Sequence, residues 1–228
     1  MKAIVLAWFC VASVLSAGTL SFKKTEQEIT APADAQTVTA DFEFTNSSPA
    51  PVNIEKYEAS CSCMSVQIKD GKTRYEPGES GVVRASFDMG NFTGDTEKLV
   101  VLWLDGDVKT GKPSVSLLTR VHVPVLVELA PRTLLWDVGE KPETKRIKVT
   151  MRDSKPIKVL NISASNENFR YEFETQKEGW NYEIAITPVN TEKPVIGIFR
   201  IETDCDVKKQ RVHQCFASIR KKPSVVPR

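Results

Sequence analysis

The chain has 228 residues, 41% apolar and 26% charged, which excludes a collagen, a disordered tail protein and a multi-span membrane protein. Its 31 basic and 29 acidic residues leave a formal net charge of +2, so no strong global field draws it to nucleic acid or anionic lipid. Two histidines and eleven glycines are little material for a multi-histidine metal centre or a glycine-rich phosphate loop.

Met1 and Lys2 make a short positive start, residues 3–15 an apolar run, and Ser16-Ala17-Gly18 a small-residue end. This is the three-part pattern of a secretory signal peptide over 1–18. A membrane-spanning helix needs about 20 apolar residues, more than this run holds. The expectation is an exported protein, periplasmic or extracellular, with no transmembrane segment after signal cleavage; an uncleaved N-terminal anchor is the alternative. Beyond the signal stand Cys61, Cys63, Cys205 and Cys215. An even number of cysteines in an oxidising compartment permits two disulfides.

Alternation with a period of two then dominates. Val38, Ala40, Phe42 and Phe44 share one face of a strand, which Asn46-Ser47-Ser48-Pro49 ends with turn residues. Val52 and Ile54 open the next strand. Glu76-Pro77-Gly78-Glu79 reads as a type II turn, with Pro presetting φ and Gly supplying the positive φ at the third position. Strands follow over 82–87 and 98–104, around a loop at 91–95. Over 115–129 the alternation is longest, with Val115, Leu117, Thr119, Val121, Val123, Val125, Val127 and Leu129 on one face. That length exceeds a usual strand, so the segment reads as the last strand of one domain running into the linker to the next. Pro124 cannot donate to a ladder and marks an edge or an exit from the sheet. Val121, Val123, Val125 and Val127 are therefore the expected interaction edge.

The second half repeats the texture, with strands expected over 133–136, 146–151, 157–163, 169–174, 182–187, 196–202 and 212–219. The stretch 183–203 also echoes 83–105 in its strand, Asn/Thr loop, lysine and apolar strand. About seven short strands per ~100 residues argue for two tandem immunoglobulin-like β-sandwiches in an all-β protein, with a single large barrel as the alternative. The expected division is signal 1–18, sandwich 19–127, sandwich 128–220 and a basic tail 221–228.

Phe42-Glu43-Phe44-Thr45-Asn46, Cys61-Ser62-Cys63, Pro77-Gly78-Glu79, Phe87 and Gly94 come in an order and spacing that resembles the bacterial domain-of-unknown-function family 1573 over about residues 20–127. That family usually has Cys-Gly-Cys-Thr where this chain has Cys61-Ser62-Cys63-Met64. The resemblance implies an exported immunoglobulin-like sandwich similar to the ASPM–SPD-2–hydin and PapD-like groups, and no assigned activity. PapD-like domains act by protein contact, so the analogy implies a binding module.

Cys61 and Cys63 are the sharpest local feature. On a strand they share a face, opposite to Met64, Val66 and Ile68. They pair or pack structurally, act as a redox pair, or bind a soft ion such as copper with Met64 as a third ligand. Cys205 and Cys215 flank a polar hairpin and are read as a disulfide, although the register about the turn is imperfect. Gly78-Glu79-Ser80-Gly81 superficially resembles a serine-protease nucleophile region, but no histidine precedes Ser80 and the turn accounts for these residues. His122 and His213 read as structural or surface residues, and Trp103, Trp136 and Trp180 as core packing. Asn46, Asn91 and Asn161 are glycosylation sequons, relevant only in a glycosylating host. With no nucleophile–base motif, P-loop or dinucleotide fingerprint, the expectation is a non-enzymatic interaction or structural module of the cell envelope with a protein partner and no nucleic acid. A thiol redox or copper protein built on Cys61 and Cys63 is the alternative.

Overall fold

The structure is a computed structural model that describes residues 19–221. The expected signal at 1–18 and all but the first residue of the basic tail lie outside the described residues. The chain divides into two compact units. One comprises the chain up to Ile29 with Thr37–Asp88 and Thr96–Val121; the other comprises Thr30–Gln36, Met89–Asp95 and the chain from His122.

The first strands are β1 (Leu20–Phe22), β2 (Glu26–Thr30), β3 (Thr37–Asn46), β4 (Val52–Ala59), β5 (Met64–Ile68), β6 (Arg74–Tyr75), β7 (Ser80–Asp88), β8 (Gly94–Leu104) and β9 (Val115–Val123). They form one sheet in the order β1-β3-β7-β5 and a second in the order β2-β9-β8-β4-β6. The alternation in β3 lies as the sequence implies: Val38, Ala40, Phe42 and Phe44 are buried, and β7 sets Val83, Ala85 and Phe87 beside them. The Phe44 ring meets Tyr75 of the facing sheet edge-on at 4.8 Å. A Cβ at Gly81 would stand 2.5 Å from the Phe44 ring and 2.6 Å from Tyr75, so glycine is what lets the rings close over β7.

Asn46 ends β3 and is fully buried. Its side-chain amide donates to the carbonyls of Ala50 and Tyr75, both at 2.9 Å, and its oxygen accepts from the Ser48 N–H and hydroxyl. The Glu76–Glu79 turn closes with the Glu79 N–H on the Glu76 carbonyl and Gly78 at φ 79°. The Gly78 N–H then donates to the Asn46 carbonyl, which ties this turn to the end of β3.

The later strands are β10 (Val127–Ala130), β11 (Thr133–Asp137), β12 (Lys145–Met151), β13 (Val159–Ala164), β14 (Phe169–Lys177), β15 (Asn181–Pro188), β16 (Val195–Thr203) and β17 (Val212–Arg220). Their sheets run β10-β12-β15-β14 and β11-β17-β16-β13. Trp136, Ile147, Ile184, Ile186, Phe199 and Ile201 fill the core between them. A fully buried side chain of this size contributes roughly 1.5–3 kcal/mol by leaving water.

The two strand orders are the same apart from β6, which extends the first unit's second sheet and has no counterpart in the other. In each, the first strand pairs antiparallel in one sheet (β1 with β3, β10 with β12) and the next crosses to the other sheet beside the last strand. β11 runs parallel to β17. β2 runs parallel to β9, because its bonds climb both strands together, from Thr25/Leu118 to Ala31/His122. This crossing of the first strand between two antiparallel sheets is the immunoglobulin-like arrangement. The echo between 83–105 and 183–203 is thereby accounted for: it joins β7 and β8 to their counterparts β15 and β16.

The expected interaction edge is corrected. β9 lies between β2 and β8, so Val121 and Val123 have bonded strands on both sides, and both side chains are buried. Val125 falls in the break between β9 and β10, and Val127 is buried in the second core. Alternation reports which face is buried; it does not say how many neighbours a strand has.

Candidate functional site

Cys61 and Cys63 sit in the turn between β4 and β5, where the chain crosses from one sheet to the other. The expected strand face is not there, because β5 begins only at Met64. The turn is held at both ends. The Ser60 N–H donates to the Leu99 carbonyl at 2.9 Å, and the Ser60 hydroxyl accepts from the Leu99 N–H. The Met64 N–H donates to the Cys61 carbonyl, and the Asp88 N–H to the Cys63 carbonyl. The two cysteines are joined as a disulfide, and both are half-buried.

Sequence reasoning missed the third member of this site. Lys98 of β8 brings its Nζ to 3.3 Å from Cys63 Sγ and 3.8 Å from Cys61 Sγ. Lys98 falls on the row of β8 that continues into the buried Val100, Leu102 and Leu104. Its stem therefore follows the core-facing row and its ammonium emerges at the sulfurs. The signal was present in the sequence as a lysine on the row that leads into Val100, Leu102 and Leu104, but which sulfur it meets is a tertiary fact.

Met64 is half-buried, and its thioether accepts a hydrogen bond from the Ser60 hydroxyl at 3.6 Å. In the oxidised form these residues do not fit a soft cation: a disulfide offers no thiolate, and an ammonium already stands against both sulfurs. His122 bonds Asp95, and His213 Nε2 meets the Gln210 carbonyl at 2.7 Å. Burial, with Arg132 nearby, holds the His213 ring below the usual histidine range, against the pull of the Gln210 carbonyl.

Cys205 and Cys215 are free thiols buried in the second core, not the expected disulfide. The register gives the reason. β16 and β17 pair Glu202 with Val212 and Phe199 with Cys215, so Cys205 lies beyond the last rung while Cys215 faces Phe199. Burial pushes the Cys215 thiol up to about 12 and raises Cys205 as well. Both pack as small apolar groups and present no thiolate at neutral pH. Trp136 is fully buried, whereas Trp103 and Trp180 are half-buried under Lys56 and Lys177. Ser80 bonds the Thr45 hydroxyl at 2.8 Å at the start of β7, as a sheet residue.

The exposed strand edge of the second unit is β14. It is the outer strand of its sheet, nine residues long, and among the described residues it pairs only with β15. The Val189 N–H donates to the Asn168 carbonyl, and the register then pairs Phe169 with Pro188. Bonded and non-bonded pairs alternate in an antiparallel ladder. Arg170, Glu172 and Glu174 thus bond β15, while the N–H and C=O of Tyr171, Phe173 and Thr175 point away from it, to the open side. The Tyr171 and Phe173 rings rest on Phe199 and Tyr182 and are each nearly two-fifths exposed. β13 is the outer strand of the other sheet, and the Tyr171 hydroxyl donates to its Ile162 carbonyl at 2.8 Å, fixing the mouth between the two edges.

The Phe42–Asn46 strand end, the Cys61–Cys63 turn, the Glu76–Glu79 turn and Phe87 all belong to one pair of sheets. Residues 20–116 match the model of DUF1573, a protein family of unknown function. The first sandwich is similar to that family over those residues. No curated protein matches the chain in sequence. Among solved structures, a protein of unknown function from Porphyromonas gingivalis W83 is similar at 11% identity and TM-score 0.34, over 88% of this chain and 98% of that one. A titin immunoglobulin tandem is similar at 10% identity and TM-score 0.31, over 91% of this chain and all of the other. Domains 5–6 of the S-layer protein SbsC match at 12% identity and TM-score 0.29, over 91% and 99%. The strand order, not these scores, defines the fold of the two sandwiches. Among the described residues no helix is long and apolar enough to cross a membrane.

Proposed function

We propose that the protein is an exported, non-enzymatic interaction module of the cell envelope, and that it takes an extended segment of a partner protein as an added strand on β14. The observation that carries this reading is the outward ladder of Tyr171, Phe173 and Thr175, which meets no strand among the described residues and is bordered by two rings nearly two-fifths exposed. Added strands gain affinity from main-chain hydrogen bonds and specificity from side-chain pockets at alternate positions. The exposed rings beside β14 supply such pockets, and its outward Arg170, Glu172 and Glu174 keep the unbound edge soluble. The signal pattern at 1–18 supports the compartment.

The test is in-cell photo-crosslinking from a reactive residue incorporated at Glu172, with Lys109 as the control position. Discrete adducts are expected from position 172 and not from 109. The Thr175→Pro variant removes an outward N–H without touching a bond to β15, and is expected to abolish those adducts while the circular dichroism spectrum is kept. Absence of adducts at 172, or adducts indifferent to Thr175→Pro, contradicts the reading.

A further inference from the structure

We propose that the Cys61–Cys63 disulfide is an exchange site for a dithiol of another exported protein, and that Lys98 is the positioning residue that stabilises the departing Cys63 thiolate.

Three observations converge on this. First, the bond spans two positions in sequence, so it constrains the unfolded chain far less than a bridge between distant strands. A bond of that kind adds little as a staple, and the turn is already held by four hydrogen bonds to the Ser60, Cys61 and Cys63 groups. Second, Cys61 and Cys63 are only half-buried, whereas Cys205 and Cys215 are sealed in the second core. Third, Lys98 spends a core-facing position on an ammonium directed at the two sulfurs, and among the described residues it makes no ion pair with a carboxylate. A disulfide is neutral and a weak acceptor, so the ammonium gains little from it. A thiolate in the same place is a strong ionic partner.

The geometry also distinguishes the sulfurs. Lys98 Nζ is 0.5 Å nearer to Cys63 Sγ, at 3.3 Å against 3.8 Å. A substrate thiolate attacks Cys61 Sγ, a bond forms between them, and the Cys61–Cys63 bond breaks. Cys63 leaves with the electron pair as a thiolate beside Lys98. The second substrate thiolate then attacks the substrate sulfur of the mixed disulfide and expels Cys61, which takes up a proton. Two electrons pass from the substrate dithiol to the cysteine pair, and the substrate gains the disulfide. Lowering the energy of the leaving thiolate speeds the first step.

Dithiothreitol serves as the probe dithiol, with the exported chain purified without reductant. Its reduction of Cys61–Cys63 is followed at pH 7 by quenching with an alkylating agent and mass spectrometry. Lys98→Met is expected to slow reduction about tenfold and to move its pH dependence upward, while Lys98→Arg stays within about threefold of the unaltered protein. When glutathione replaces dithiothreitol, the trapped adduct is expected on Cys61 and the alkyl group on Cys63. Equal rates for Lys98→Met and the unaltered protein overturn the proposal, as does a glutathione adduct on Cys63. A loss in Lys98→Arg as deep as in Lys98→Met also overturns it, since that marks a packing role and not a charge. These outcomes are read on Cys61 and Cys63 and do not depend on β14 binding anything.

Discussion

Asn46→Ala is expected to lower the unfolding free energy by about 3–5 kcal/mol in urea titration, one of the two largest losses expected from a single substitution here. Asn46 is fully buried and makes four hydrogen bonds through its side chain. Alanine leaves the Tyr75 carbonyl without this donor and frees the Ser48 N–H and hydroxyl from their shared acceptor. Each buried polar group left unmatched costs about 1–3 kcal/mol. Asn46→Asp separates the two sides of the network. It keeps an acceptor for Ser48, cannot donate to Ala50 and Tyr75, and brings a charge into a buried site, so it is expected to be no milder than alanine. A loss below about 1 kcal/mol for both variants would show that the Phe-x-Phe-x-Asn strand end does not depend on its asparagine. The same burial speaks to the sequon at Asn46: a glycan there would replace one of the two amide hydrogens donated to Ala50 and Tyr75.

Trp136→Ala is the second, with an expected loss of about 3–5 kcal/mol from the second unit. The indole is 1% exposed, lies 5.9 Å from the Phe169 ring, and donates its N–H to the Glu143 carbonyl at 2.9 Å. Alanine opens a cavity between β11 and the facing sheet and strands that carbonyl. Trp136→Phe refills much of the volume but not the hydrogen bond, so its loss is expected to be about half as large. Equal losses for the two would place the energy in the hydrogen bond and not in the packing.

These residues show what one chain in isolation makes legible. The period-two rows of β3, β7, β8 and β17 follow from the sequence because the side of a strand that faces a core is a local property. The turn at Glu76–Glu79 was readable because proline and glycine set φ locally. The Asn46 network was half readable: Ser48 is two residues away, but Tyr75 is 29 residues away and on another sheet. Lys98 meets Cys63 across 35 residues, so the chemistry of the turn was hidden while its cysteines were plain. The open edge is hidden from the sequence for the same reason. Val121 and Val123 advertise burial, and only strand order shows that β9 is flanked and that β14, less apolar to the eye, is open. Cys205 and Cys215 looked like a staple by proximity in sequence, yet a shift of a few rungs in the β16–β17 ladder sets one opposite Phe199 and the other past its end.

The central claim is an exported tandem sandwich whose accessible sulfur chemistry is confined to one turn. Mass spectrometry of the exported protein tests it most directly, after purification without reductant and with alkylation before and after denaturation. The account predicts a chain lacking about the first 18 residues, a Cys61–Cys63 disulfide opened by mild reductant, and Cys205 and Cys215 alkylated only once the fold is lost. An intact N-terminus, a Cys205–Cys215 bridge, or Cys61 and Cys63 bonded to the other pair would contradict it.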